Sequence, residues 1–425
     1  MFLTNQQKYY TFDRLMTAEK RNGDVNAHDS LEFLAGSTVR IKVLDELSQP
    51  FRKADLAQAL PHSKKSIRAA LARYEQQGWV RKLNEEYSQT AGGAIVLRIF
   101  DEIAERNASD RVVEQNTTEE LRDELRRDLN ILIKAPQRVR MLRAGSLSTR
   151  SSTLSGQYGK ESPTAHRDAD TLISKGWYEK NGPVYERTAK GETILSGYSD
   201  LYQAIKQTIE KESFTYRLTS EHADLPATKL SNAELIDVSR GGPDAGITGL
   251  KKIGRNASGS SIEQIRTVCP VYKPSIADAF SDFISLKTNT KLVYDRPTFR
   301  KLCHPRRMPL LCAVAAHPHT EVRIYPEDLT FGVGLYDNQG MVMAYNNAPG
   351  NEAGIITADE CLTEWMATQF ECYWQQSQPL STGFMETVQR YVDESVWSIS
   401  DVAFWTDNKD GGSDQDDGLN KHIAQ

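Results

Sequence analysis

Long hydrophobic runs are missing from this chain of 425 residues. No stretch of about 18 consecutive apolar residues occurs, so no segment is expected to cross a membrane. The first residues, MFLTNQQKYYTFDRLM, are too polar for a signal peptide. Together these two absences predict a cytoplasmic protein.

Cysteine is also scarce. Its five residues all lie at position 269 or beyond, and they form no C-x-x-C pair. This spacing argues against a disulfide framework or a zinc site and predicts buried thiols in a reducing compartment. The residues are Cys269, Cys303, Cys312, Cys361 and Cys372.

Sequence patterns for catalysis are missing as well. The glycine-rich segment SRGGPDAGITGLKKIG contains neither G-x-x-x-x-G-K-[ST] nor G-x-G-x-x-G, which predicts a loop rather than a phosphate cradle. No G-x-S-x-G occurs. His304, His317 and His319 have no lysine two positions on, and His317 and His319 lack a third ligand at metal-binding spacing. We therefore expect no enzymatic activity, no cofactor and no metal.

The chain does contain an internal repeat. The stretch QQGWVRKLNEEYSQTAGG ends at Gly93, and SKGWYEKNGPVYERTAKG ends at Gly191, with every shared letter shifted by 98 positions. Without a gap, residues 33–93 and 131–191 share 13 identities in 61 positions, where unrelated sequences would share roughly four. One domain therefore occurs twice.

The repeat unit predicts three helices followed by a hairpin. In the first copy, apolar residues recur at helical spacing around Val43, and KADLAQAL forms a second helix that stops before Pro61. Ser63 is placed to cap a third helix, KKSIRAALARYEQQ, which Gly78 ends. WVRKLNEEYSQT then alternates as two strands around a polar turn, and the second copy turns at Asn181-Gly182. This order predicts a winged helix-turn-helix.

The same stretches resemble a known family. SLEFLAGSTVRIKVLDEL, the Ser-Lys-Lys-Ser-Ile helix and GWV resemble the N-terminal winged helix of haloarchaeal transcriptional regulators, and ILIKAPQRVRML, SPTAHRDADTLISKGW and YERTAKG resemble the same module. Residues 259–283 and 320–376 resemble the C-terminal sensor domain of the methanogenesis-regulatory-protein type. The resemblance covers roughly residues 31–380. It implies a DNA-binding transcriptional regulator that senses an effector through its C-terminal domain.

The distribution of charge agrees with binding to double-stranded DNA. Residues 33–93 carry ten Lys and Arg against six Asp and Glu, and residues 131–191 carry eleven against five, in a chain whose net charge is −5. Cations concentrate on DNA-binding modules because they neutralise phosphates and release counterions. A solvated basic face, or a winged helix that contacts another protein, remains the alternative.

The groove geometry of such modules selects candidate residues. The first turns of the third helix read base edges, and the hairpin touches the backbone or the minor groove. Arg68 is the preferred residue for reading a base, because a guanidinium can donate two hydrogen bonds to the edge of guanine. Asp168 and Asp170 dilute the charge of the second copy, so the first copy is the stronger reader. The predicted DNA-binding residues are Ser63, Lys64, Lys65, Ser66, Arg68, Ala69, Arg73, Arg81, Lys82, Thr164, His166, Arg167, Lys180 and Arg187.

Two apolar features of the repeats allow a structural and a functional interpretation. Trp79 and Trp177 follow a helix-ending glycine, which favours core packing over stacking on bases. Helices with apolar stripes follow both hairpins, and these stripes either close the domain core or pair with a second subunit in a homodimer. The residues are Ile95, Ile99 and Ile103 in one helix, and Tyr198, Tyr202, Ile205 and Ile209 in the other.

The C-terminal part alternates short strands with helices, which predicts an α/β sandwich. In this part, Arg323, Tyr325, Tyr336 and Asp337 are candidate contacts for a small-molecule effector, with ordinary sheet residues as the alternative.

The predicted fold class of the whole chain is α+β, with two tandem winged helix-turn-helix domains followed by an α/β sandwich-like sensor domain. The predicted divisions are an N-terminal extension (1–30), winged helix-turn-helix 1 (31–106), a polar helical linker (107–130), winged helix-turn-helix 2 with its long C-terminal helix (131–212), the effector or dimerisation domain (213–380), an additional helix (381–407) and an acidic tail (408–425).

The sequence therefore predicts a sequence-specific, nucleoid-associated DNA-binding regulator, with a non-catalytic assembly protein as the alternative.

Thr117 and Glu120 predict a capping box ahead of the second repeat.

Overall fold

The computed structural model describes residues 26–108, 117–150, 153–154, 162–237, 249–253, 262–271, 288–303, 317–345 and 352–380. The chain divides into two units, Met1–Ser239 with Ala344–Trp365, and Arg240–Met343 with Met366–Gln425. The predicted features outside the described residues include the additional helix (381–407), the acidic tail (408–425), most of the N-terminal extension, most of the glycine-rich segment, His304 and Cys312. No helix within the described ranges is long and apolar enough to cross a membrane.

The first repeat has the predicted order of elements. Its helices are α1 (Ala27–Ala35), α2 (Thr38–Glu46), α3 (Lys53–Ala59), α4 (Lys64–Gln76) and α5 (Ala91–Ala108), and its strands are β1 (Phe51–Arg52), β2 (Val80–Leu83) and β3 (Glu86–Gln89). The hairpin β2–β3 turns at Asn84 and Glu85, which have φ angles of 48° and 70°. Strand β1 pairs with β3 as a third strand that the sequence pattern did not predict.

Local sequence explains why α4 forms where it does. Ser63 Oγ accepts a hydrogen bond from the Ser66 N–H at 3.1 Å, which confirms the predicted N-cap. Ile67, Leu71 and Tyr74 bury one stripe of the helix. Gly78 follows the helix with φ +69°, a conformation that favours glycine. The opposite side of α4 is therefore left facing solvent.

The second repeat reproduces most of these elements at a shift of 98 residues, whereas β4 lies earlier than that shift of β1 and the counterpart of α3 falls largely outside the described residues. Its elements are α6 (Thr118–Ile133), α7 (Pro136–Ala144), β4 (Ser146–Ser148), α8 (Ser162–Ser174), β5 (Tyr178–Asn181), β6 (Val184–Arg187) and α9 (Ala189–Glu210). The C-terminal half of α6 is the counterpart of α1, and its N-terminus carries the predicted capping box of Thr117 and Glu120. The second hairpin turns at Gly182 and Pro183, one residue later than predicted, with φ +57° at Gly182.

The first unit continues past the boundary predicted at residue 213. Helix α10 (Glu212–Thr215) and the 3-10 turns Ser220–His222 and Ala227–Asn232 pack on α5 and α9. They bury Phe214, Leu218, Leu225 and Leu230, so these side chains complete the core of the repeats. Strand β7 (Glu234–Asp237) then pairs antiparallel with β13 (Glu352–Thr357) in the same unit.

The second unit is built on a mixed sheet. Its strands are β8 (Gln264–Cys269), β9 (Asn289–Asp295), β10 (Thr320–Tyr325), β11 (Phe331–Tyr336), β14 (Gln378–Pro379) and the part of β12 (Gln339–Tyr345) up to Met343, in the order β14-β10-β9-β8-β11-β12. Strand β9 runs parallel to both of its neighbours. Helix α11 (Arg296–Leu302) is capped by Asp295, and α12 (Glu360–Gln376) precedes β14. The α+β fold class, with two repeated N-terminal domains and a C-terminal sheet domain, is confirmed.

The cysteines correct one prediction. Cys361 and Cys372 are exposed, because they lie away from the side of α12 that buries Met366 and Phe370. Cys269 and Cys303 are half-buried, and burial raises the pKa of the Cys269 thiol to about 12. Buried thiols were therefore the wrong expectation for the two cysteines of α12.

Candidate nucleic-acid interface

In both copies, the threonine of the repeated Gly-Trp…Thr-Ala-x-Gly motif hydrogen-bonds the end of the hairpin to its beginning. Thr90 Oγ1 donates a hydrogen bond to the Gly78 carbonyl at 2.7 Å, and Thr188 Oγ1 donates to the Gly176 carbonyl at 2.6 Å. In both copies the threonine N–H also donates to the tryptophan carbonyl, at 3.0 and 3.1 Å. The two ends of each hairpin are thereby joined, so the motif holds the hairpin in a fixed place beside the third helix.

The last glycine of the motif is required by a close approach. A Cβ at Gly93 would lie 2.3 Å from the Trp79 carbonyl oxygen, and a Cβ at Gly191 would lie 2.2 Å from that of Trp177. Any side chain would collide there. The indoles of Trp79 and Trp177 are 0% exposed, which confirms their predicted place in the core.

The solvent face of α4 carries the strongest candidate site. Lys64, Lys65, Ser66, Arg68 and Ala69 are all exposed. In the described part of the chain, neither lysine nor Arg68 forms an ion pair with a carboxylate. Arg73, one turn beyond Arg68, is half-buried, and its Nη1 donates to Gln76 Oε1 at 3.0 Å. The first turns of α4 therefore present three uncompensated cations beside the free N–H groups of a helix N-terminus.

Cations on the first hairpin have protein partners. Lys82 stands opposite Tyr87 across the strands, and its Nζ lies 2.9 Å from Glu85 Oε1. The hydrogen bond to Glu85 raises the pKa of Lys82. Arg81 Nε donates to Ser88 Oγ at 3.4 Å. Each of these two cations therefore already makes one contact within the hairpin.

Helix α8, the counterpart of α4 in the second repeat, presents fewer exposed cations than α4. Arg167 is exposed, whereas Thr164 and His166 are half-buried. Asp168 is 3% exposed, and it accepts hydrogen bonds from Arg138 Nε at 2.8 Å and Gln137 Nε2 at 2.9 Å. The expectation that Asp168 dilutes the charge of this face is thus wrong, because its carboxylate is turned inward and paired; Asp170 remains exposed.

The second hairpin offers one exposed cation. Lys180 is exposed and stands opposite Tyr185. Arg187 instead points into the domain, where its Nη1 donates to the Leu142 carbonyl at 2.5 Å and its Nη2 pairs with Glu192. Arg187 therefore holds the end of α7, a role that the sequence pattern did not suggest.

The apolar stripes after the hairpins are internal. Ile95, Ile99, Ile103, Tyr198, Tyr202 and Ile205 are buried within the chain, where α5 and α9 pack against each other, while Ile209 is half-buried. Helix α6 is joined to α5 and to α2 by Arg122, which lies 2.6 Å from Asp101 on α5 and 2.6 Å from Asp45 on α2. Sequence reasoning missed Arg122, because only tertiary structure brings its two partners together.

The predicted effector contacts do not converge. Arg323 and Tyr325 lie on β10, and Arg323 stacks over the Trp374 ring at 4.2 Å. Tyr336 is buried at the end of β11, which is separated from β10 by two strands, and the Asp337 carboxylate accepts the Gln264 N–H at 2.9 Å. His317 and His319 join no group of three ligands suited to a metal among the described residues.

Comparisons with known proteins agree with this organisation. The HVO_A0261 N-terminal domain matches residues 28–111 and 126–211, and the middle domain of the methanogenesis regulatory protein FilR1 matches residues 255–376. No curated protein matches the chain. One similar solved structure is that of TrmBL2, an archaeal chromatin protein described as showing a novel mode of DNA binding; it is 11% identical, with 66% of this chain and 99% of that chain covered and a TM-score of 0.28. Two stretches of the chain thus match the HVO_A0261 N-terminal domain and a third matches the FilR1 middle domain, which confirms the resemblance to archaeal regulators of this type.

Proposed function

We propose that this protein is a sequence-specific DNA-binding transcriptional regulator, in which each repeat acts as a winged helix-turn-helix. The observation that carries the proposal is the exposed, uncompensated trio Lys64, Lys65 and Arg68 on α4. A solvated structural face usually intersperses both signs of charge, whereas a phosphate-binding face keeps its cations available. The regulatory protein FilR1, whose middle domain matches the C-terminal part, supports a role in regulation.

The roles of the three cations follow from their places on the helix. Lys64 and Lys65 occupy the first turn, where the free N–H groups and the helix dipole already favour a phosphate. Arg68 lies one turn further along, at a position suited to the edge of a guanine in the major groove. Ser63 is occupied as the N-cap, so its role is to hold this end of the helix in shape.

Control of DNA binding is assigned to the C-terminal domain in this proposal. The C-terminal domain would bind an effector, with Arg323 and Tyr325 as the first residues to substitute. It would also supply any homodimer contact, since the stripe on α9 is already used within the chain. The protein is proposed to act without catalysis and in association with the nucleoid.

One observation favours a second function, contact with another protein. Leu83 at the tip of the first hairpin is 66% exposed, the only large hydrophobic side chain exposed to this degree in the described ranges. An apolar hairpin tip suits a protein partner better than a phosphate backbone.

Salt dependence separates the two functions. Binding of the full chain to genomic DNA fragments would be followed by fluorescence anisotropy between 50 and 200 mM salt, roughly the range over which phosphate contacts lose most of their affinity. DNA binding predicts that affinity falls steeply over this range, and that Leu83→Ser leaves it unchanged. Salt-independent binding, or no binding, would favour the protein-contact function.

A further inference from the structure

The two repeats contact each other reciprocally. Helix α1 of the first repeat packs on α9 of the second, and the counterpart of α1, helix α6, packs on α5, the counterpart of α9. Helices α5 and α9 also pack on each other, as do α1 and α6. These four helix contacts between the repeats are thus matched when the two repeats are exchanged, as in a twofold, isologous pair.

Close packing supports a fixed arrangement. A Cβ at Gly197 on α9 would lie 2.5 Å from Ile103 Cγ2 on α5, so the two helices approach closely at this point. Arg122 is the main polar link, since it joins α6 to α5 through Asp101 and to α2 through Asp45. Asn130 of α6 also donates to the Ala35 carbonyl of α1 at 2.6 Å. A buried, hydrogen-bonded contact of this kind is that of a dimer interface rather than of a flexible tether.

The DNA-reading faces lie outside this contact. Arg68 on α4 and Arg167 on α8 are both exposed, although their helices belong to the paired repeats. A twofold pair of helix-turn-helix modules matches the twofold symmetry of duplex DNA when its half-sites are inverted. In ordinary regulators two chains supply the pair, whereas here one chain contains both members.

We propose that a single chain reads an operator made of two inverted half-sites that differ in sequence. This inference rests on the proposed DNA-binding function and specifies its partner. The half-sites differ because the two reading helices do: Lys64, Lys65 and Arg68 face one, while Arg167 is the exposed cation in the first turns of the other. The first half-site carries more phosphate contacts and binds more tightly.

The test begins with selection of bound duplexes from a random library by the full-length chain, followed by the same selection with Arg68→Ala and with Arg167→Ala. The expected site has two unlike inverted halves. Arg68→Ala relaxes base preference in one half only, and Arg167→Ala relaxes it in the other half only. Both residues are exposed, so unchanged thermal unfolding of the variants serves as the folding control.

A second arm uses the selected site with about 5 base pairs, half a helical turn, inserted between the halves. Linked binding of two modules exceeds single binding by about 100-fold or more, so the insertion should lower affinity by about that factor. If Arg68→Ala relaxed both halves and Arg167→Ala neither, two chains would each be using the first repeat, and the inference would be overturned. Selection of one half-site, or of direct repeats, would also overturn it while leaving DNA binding intact. Absence of any sequence preference in the unaltered chain would instead reject the proposed function.

Discussion

The buried Asp168 forms an ion pair with the half-buried Arg138, whose Nε lies 2.8 Å from Asp168 Oδ1. The pair joins α7 to the inner side of α8, and Arg138 Nη1 also donates to the Ile131 carbonyl at 3.2 Å. In the first repeat the counterpart arginine, Arg40, donates to the carbonyl of Phe33, the counterpart of Ile131. The repeated arginine therefore closes the turn before its own helix in both copies, and only the second copy adds a carboxylate.

Asp168→Ala should destabilise the protein. It leaves the half-buried guanidinium of Arg138 without its counter-ion, and an unsatisfied donor of this kind costs about 1–3 kcal/mol. Unfolding followed by tryptophan fluorescence measures the loss, because both repeats contain a buried indole. The matched control is Asp170→Ala on the exposed side of the same helix, with an expected change within about 0.5 kcal/mol. Equal effects of the two substitutions would show that the ion pair contributes nothing.

Gly93→Ala should also lower the free energy of unfolding, by about 2–3 kcal/mol, because its methyl group collides with a main-chain oxygen. That oxygen cannot easily retreat, since the Thr90 N–H is bonded to it at 3.0 Å. Gly92→Ala is the neighbouring control: its nearest contact is the Thr215 hydroxyl at 3.2 Å, which needs only a small shift. A chemical denaturation series that ranked Gly92→Ala as the more damaging would refute this explanation of the motif.

The sequence was sufficient for features encoded locally. Ser63, Gly78 and Gly182 mark a cap, a helix end and a turn, and each acts through its own backbone geometry. The repeat of 98 residues predicted a second copy, because the same local signals recur in the same order.

Features that depend on distant partners could not be predicted. Asp168 reads as a surface carboxylate until the fold brings Arg138 to it from 30 residues away. Arg187 reads as a hairpin cation until α7 offers the Leu142 carbonyl. The pairing of α5 with α9 likewise decides between a core and a dimer contact, two outcomes that the same apolar stripe allows.

Acid should weaken the first unit through His222. Burial lowers the pKa of His222, although the neighbouring Asp224 and Glu221 carboxylates oppose this effect. The unfolded chain therefore takes up the proton at a higher pH than the folded chain does, so stability is full above about pH 6.5 and falls as the pH drops towards the lowered pKa. Thermal unfolding between pH 5.5 and 7.5 should show this slope, and His222→Gln should flatten it. If the pH dependence of unfolding were unaltered in His222→Gln, a group other than His222 would cause it. The same would hold if His319→Gln, at an exposed histidine of the second unit, flattened the slope equally.

Substitutions of the cations on α4 should have two different effects on DNA binding. Arg68→Ala should lower specific affinity by about 1–3 kcal/mol and relax the preference at one base pair. Lys64→Ala should weaken binding to all sequences and reduce the salt slope by about one unit. The control is Arg127→Ala, an exposed arginine on α6 outside both helix-turn-helix pairs, with no expected effect on affinity. Retention of full sequence preference by Arg68→Ala would remove its assigned role.

The most direct test of DNA-based regulation is genome-wide mapping of the DNA bound by the full-length chain in its own cells, compared with the Arg68→Ala variant at equal abundance. Our account predicts discrete sites near promoters that share one motif of two unlike inverted halves, and loss of those sites in the variant. Occupancy without a shared motif, or an identical map for the variant, would contradict it.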